Sequence, residues 1–192
     1  MIGKPLLGLK AALLVANGFC EADVTQTQRA LLELGAALRI VSPEVGLACG
    51  WADEGWGHNF AVDVNIRTAL GADYSMLVVP GGQRSIEKLR LTAHTRRFIS
   101  SFIGSGKPVA VFDEAFELLA NAADLSGRKL AGLAANEPAV LEAGADWDAS
   151  GLWVDNNLLT ATTAEKRDEI IARMAKLFVE QARAVAQDAQ AA

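Results

Sequence analysis

Histidine and cysteine are scarce in this chain, with two of each among 192 residues. Cys20 and Cys49 have no C-x-x-C spacing and no histidine pair beside them, which excludes the usual zinc frameworks. Two reduced thiols are what a cytoplasmic protein carries. No metal and no cofactor is expected. Basic residues are outnumbered as well: 18 Lys and Arg stand against 23 Asp and Glu, a formal charge of −5. That balance argues against a nucleic acid or an anionic membrane as partner. Arg96-Arg97 is an isolated pair on a predicted helix. Long hydrophobic runs are missing too. Ala11 to Ala16 is far too short to cross a bilayer, and the N-terminus lacks a signal-peptide h-region followed by a small-residue cleavage site. The expectation is a soluble, cytoplasmic protein.

About half of the residues are apolar, enough for a sizeable core in one domain. The run Ala11-Ala-Leu-Leu-Val-Ala16 suits a strand buried on both faces. Helical spacing follows from Asp23 to Leu34, and Gly35 stands where a helix C-terminus belongs. Ala37 to Val41 predicts the next strand. Val45 to Asp63, with Trp51, Trp56 and Gly57-His58, reads as an excursion of short strands and loop. Ser75 to Val79 predicts a central strand stopped by Pro80-Gly81-Gly82. Thr92 to Ile103 predicts a helix, Val109 to Phe112 a strand, and Ala115 to Ala122 a short helix. Trp153-Val-Asp155 and Leu158 to Ala161 flank Asn156-Asn157, a hairpin turn. A long terminal helix starts at Thr163 or Ala164 and runs to Val185, with Ile170, Ile171, Met174, Leu177 and Phe178 on one face. Alternating strands and helices predict an α/β three-layer sandwich, a mostly parallel sheet with helices on both faces. The expected organisation is a lead over residues 1–9, one domain over 10–183, and a frayed tail over 184–192.

The joint Val111-Phe112-Asp113-Glu114-Ala115 carries the most information about function. A buried strand ends there and an amphipathic helix begins at once. α/β proteins place nucleophiles or ligand contacts at such a bend, above the carboxyl ends of the strands. Three strand ends converge on that edge: Gly18 to Asp23, Pro80 to Gln83, and Phe112 to Ala115.

Taken together these segments resemble the ThiJ/PfpI family, part of the class I glutamine amidotransferase-like superfamily of flavodoxin-like folds. The matching pieces are Leu14-Val-Ala-Asn-Gly-Phe19, Leu77-Val-Val-Pro-Gly-Gly82, Gly106-Lys-Pro-Val-Ala110, Leu125-Ser-Gly-Arg-Lys129, Ala143-Gly-Ala-Asp-Trp147 and Val154-Asp-Asn-Asn-Leu158. Gly50-Trp51, Trp56-Gly57 and Val62-Asp63 are similar to the branch of general stress proteins and intracellular proteases. The resemblance implies a Cys-His pair at the elbow, but this chain has Asp113 and Glu114 there, followed by Ala115. It implies an acid on the first strand-to-helix loop, which falls on Asp23. The elbow is also similar to the C-terminal domain of large-subunit catalases, which has the same fold without the nucleophilic Cys. A homodimer is implied by the resemblance as well.

Asp113, Glu114 and Asp23 are therefore the candidate catalytic positions. Glu21, Cys20, Gly81, Gly82, Ala115 and His58 are candidate binding positions for a small molecule. Cys20, beside Glu21 and Asp23, is expected to have a raised thiol pKa and little reactivity. Only His58 and His94 are available as bases. Asp23 and Asp113, if adjacent, would share a proton or bind a hard cation together with Glu21 or Glu114. The plainer expectation holds Asp113 by backbone N–H groups at the start of the Ala115 helix. Two functions follow. One is a degenerate, non-enzymatic ThiJ/PfpI-like protein with a stress-related or ligand- and partner-binding role. The other is a hydrolase or lyase, resembling the intracellular proteases or glyoxalases, acting on a small carbonyl or amide compound through Asp113 and Asp23.

Overall fold

Every residue of β1 (Lys10–Leu14) after its first is buried, because the strand is central and both of its faces are covered. The computed structural model, which describes residues 4–191, continues through β2 (Phe19–Cys20) into α1 (Glu21–Glu33). Gly35, at φ 91°, turns the chain out of that helix, a conformation that a Cβ would strain. β3 (Ala37–Ser42), the hairpin strands β4 (Leu47–Ala52) and β5 (Gly55–Ala61), and the short β6 (Val64–Asn65) come next. They lead to β7 (Met76–Val79), α2 (Gln83–Arg90), α3 (Ala93–Gly104), β8 (Val109–Phe112) and α4 (Phe116–Ala122). The last part holds β9 (Lys129–Ala131), α5 (Glu137–Glu142), β10 (Asp146–Asp148), β11 (Leu152–Asp155), β12 (Leu158–Ala161) and α6 (Arg167–Ala191).

Seven strands form the main sheet in the order β11-β12-β8-β7-β1-β3-β6. Neighbours are parallel except β11 and β12, which meet as an antiparallel hairpin across Asn156-Asn157. The alternation along β1 divides the core. Ala11 and Leu13 face a cluster with Val24 and Leu31 of α1 and Met174 and Phe178 of α6. Ala12 and Leu14 face the opposite cluster, with Ile86, Phe98, Phe102 and Leu119 of α2, α3 and α4. This is the three-layer α/β sandwich expected from the sequence. Two small sheets flank it: β2, β4 and β5 together, and β9 with β10.

Some details differ from the sequence reading. α2 has no counterpart in it, because Ile86 and Leu89 are the only buried large apolar residues in an otherwise polar stretch. The same holds for β9, α5 and β10, each of six residues or fewer, too short to show a period. α6 begins at Arg167 rather than at Thr163 or Ala164, because Thr162 and Thr163 are occupied elsewhere. It continues to Ala191, so the stretch from residue 184 expected to fray is helical as far as Ala191. Met1 to Gly3, at the start of the expected lead, and Ala192 lie outside the described residues.

Candidate ligand-binding site at the acidic elbow

The bend after β8 is tight. Asp113 has φ 50°, one of four non-glycine residues with positive φ among those described. A single 3-10 turn, Asp113–Ala115, then passes into α4. A left-handed residue with a Cβ costs on the order of 1–3 kcal/mol unless its surroundings hold it. Here they do. β12 runs parallel to β8 with Ala161 level with Phe112, so the residues following each strand meet above the sheet. Thr162 Oγ1 and the Thr163 N–H both donate to Asp113 Oδ1 at 2.9 Å, and Thr163 Oγ1 donates to Oδ2. Asn136 Nδ2 donates to the Asp113 carbonyl at 3.3 Å. The donors expected from the start of the Ala115 helix are thus replaced by the loop between β12 and α6.

Glu114 is anchored next to it, its Oε2 accepting from the Gly82 N–H at 3.0 Å. Both acids press on the loop after β7. A Cβ at Gly81 would stand 2.8 Å from Asp113 Oδ2 and 3.3 Å from Glu114 Oε2, and one at Gly82, whose φ is 120°, would stand 2.6 Å from the Gly18 carbonyl. Glycine is needed at both positions for the backbone to come this close.

Asp23 is fully buried beneath this layer. Its Oδ1 accepts from Arg167 Nε at 2.7 Å and its Oδ2 from the Gly81 N–H at 3.3 Å. Burial pushes the carboxyl pKa up, Arg167 pulls it down, the charge of Asp113 adds a smaller push, and the net direction is upward. No hydrogen bond joins the carboxylates of Asp23 and Asp113; each has donors of its own, so the shared proton considered from sequence has no geometric basis. Arg167 Nη2 also lies 3.7 Å from Cys20 Sγ. The thiol pKa is raised, first by burial and then by Asp23, with Arg167 opposing. Glu21, invoked from sequence, is not among the causes.

Three expected binding positions lie apart from this group. Glu21 turns to the hairpin of β4 and β5, where its Oε1 is 2.6 Å from His58 Nδ1 and its Oε2 accepts the His58 N–H at 2.7 Å. These bonds hold the Glu21 carboxyl below its ordinary range. His58 is committed to that contact, with its ring largely exposed. Ala115 is buried in the core. Among the described residues no three His, Cys, Asp or Glu side chains stand close enough to hold a metal ion. Of the acids considered from sequence for a cation, Glu21 has turned to His58 and Asp23 is bound to Arg167.

A cleft of about 370 Å³ opens over the elbow, lined by Cys20, Gly82, Asp113 and Glu114 of the expected residues and also by Trp51, Arg84, Thr163 and Arg167. The Arg84 guanidinium lies 3.8 Å over the Trp51 ring, a cation–π contact. The sequence reading missed Thr162, Thr163, Arg84 and Arg167. One signal was available for Arg167. A cation in the first turn of a helix opposes the macrodipole, so its presence there points to another partner.

Residues 9–177 match the model of the DJ-1/PfpI family. The chain is 36% identical over 130 residues to protein DJ-1 homolog D of Arabidopsis thaliana, a match that takes in 66% of this chain and 32% of that protein's length. It is 28% identical over 160 residues to general stress protein 18 of Bacillus subtilis, covering 83% and 91% of the two chains. Among solved structures, Drosophila melanogaster DJ-1beta superposes with a TM-score of 0.78 at 18% identity, covering 96% and 98%; at that identity the likeness speaks for the fold alone. By the extent of its match to the family model, the chain belongs to the DJ-1/PfpI family.

Proposed function

We propose that this DJ-1/PfpI member has lost the thiol chemistry its fold would imply, and that it works as a cytoplasmic, homodimeric ligand- or partner-binding protein in a stress-related role. The observation that carries the reading is the state of the elbow. The side chain at the bend is a carboxylate, and three donors from Thr162 and Thr163 hold it. A carboxylate nucleophile needs a base to resolve the ester it forms. Neither histidine lines the cleft. His58 is bonded to Glu21, and His94 stands in the first turn of α3. The cleft thiol, Cys20, is shifted away from the reactive thiolate form. The similarity to general stress protein 18 supports the stress-related part. No helix among the described residues is long and apolar enough to cross a membrane. The alternative of a hydrolase or lyase acting through Asp113 and Asp23 gains no support from a cleft that no histidine lines and an Asp23 paired with Arg167.

The test is turnover of methylglyoxal and of a chromogenic ester by purified protein, beside the Asp113→Asn variant. The reading predicts no turnover above buffer in either protein. Turnover by the native chain that disappears in Asp113→Asn overturns it.

A further inference from the structure

We infer that the elbow cleft binds a free α-amino acid with a small apolar side chain, taking its carboxylate on Arg84 and its ammonium on Glu114 and Asp113. This rests on reading the cleft as a binding site, and it adds the chemical class of the ligand.

Polar groups of both signs are left over in one small space. Arg84, an exposed residue, stacks over Trp51. Stacking uses the face of a guanidinium and leaves its N–H edges free, and among the described residues no carboxylate pairs with it. Glu114 places Oε2 on the Gly82 N–H, while no described residue donates to its Oε1. Asp113 Oδ2 has the Thr163 hydroxyl as its one donor. A carboxylate offers about four acceptor sites, so both acids retain capacity toward the cleft. Arg167 does not add to the imbalance, because Asp23 neutralises it at 2.7 Å.

The charges narrow the ligand. A simple anion on Arg84 would lie in the field of Asp113 and Glu114. It would also find the Gly82 N–H, at the start of α2, already occupied by Glu114. A simple cation beside the two acids would face Arg84. A compact zwitterion satisfies both signs at once, in a site where charge-assisted hydrogen bonds are the strong ones. Leu133 and Ala164 complete the lining with apolar surface, which suits a small aliphatic side chain. At about 370 Å³ the cleft is near the small end of the roughly 300–1,000 Å³ usual for ligand pockets.

The experiment is a titration of the ¹⁵N-labelled full chain with L-alanine, propionate and ethylamine, following the Trp51 indole N–H and the Gly82 amide. The last two compounds are alanine without its amine and without its carboxylate. L-Alanine is expected to give saturable shifts at both groups, and neither truncated compound to saturate over the same range. Arg84→Met and Glu114→Gln are each expected to weaken alanine binding tenfold or more. An absence of saturable shifts with alanine, or saturation by propionate or ethylamine at equal concentration, overturns the inference. Turnover assays decide the proposed function separately: a chain that neither turns over nor binds alanine refutes this inference alone.

Discussion

At the scale of single residues, the pair of Asp23 and Arg167 governs how the site responds to pH. Asp23 is buried and its folded pKa is raised. Any stabilisation from a raised carboxyl is fully present below its unfolded value, about pH 4, and is lost as pH rises through the folded value. Arg167 limits that loss by favouring the ionised form. Replacing it with Met removes both its hydrogen bond and its charge, so the folded pKa of Asp23 climbs further. Arg167→Met is expected to be near native stability at pH 4 and to fall behind by about 3 kcal/mol at pH 7. That is the low end for breaking a buried pair, because the Arg167 side chain is 27% exposed. Denaturant titrations of both proteins at the two pH values measure it. A deficit of equal size at both would mean that Asp23 does not carry the effect. The contrast between Asp113 and Arg167 also shows what a sequence discloses. Asp113 was readable because an abrupt change from a β-branched run to a helix marks a bend. Arg167 was hidden because its partner lies 144 positions away.

At the scale of elements, the strands of the central sheet were legible because burial on both faces leaves an unbroken apolar run. Ala11 to Leu14, Met76 to Val79 and Val109 to Phe112 are all fully or almost fully buried. Long helices were legible for a related reason. The stripe from Ile170 to Phe178 is repeated often enough to define a face, and those residues are indeed the buried ones of α6. Short elements lack that repetition. The polar α2 went unseen, although its first residues sit against the elbow and Gly82 caps it. The start of α6 was misplaced for a third reason. Thr162 and Thr163 have no local feature that ends a helix, and what keeps them out of it is the carboxylate of Asp113 across the sheet. The site is built where β8 and β12 end side by side, and that adjacency is a property of topology.

At the scale of the whole molecule, the DJ-1/PfpI architecture brings three loops over the carboxyl ends of the strands, with Asp113 and Glu114 at the elbow. The hairpin of β4 and β5 and the loop leading into it expose Val45, Leu47 and Trp56 at 92%, 54% and 60%. Leu47 is level with Ala61 and Trp56 with Trp51, so these side chains stand at opposite ends of the hairpin, and the proposed homodimer is tested by mass. Light scattering on the purified full chain is expected to give twice the 20.3 kDa of one chain; a mass of one chain at micromolar concentration removes the dimer. The central claim, however, concerns chemistry: the fold persists here without an activated thiol. The rate of alkylation of Cys20 and Cys49 by iodoacetamide at pH 7, followed by intact mass beside free cysteine, tests it most directly. The account predicts that neither thiol reacts faster than free cysteine. Rapid labelling of Cys20, at a rate independent of pH down to pH 6, would contradict it.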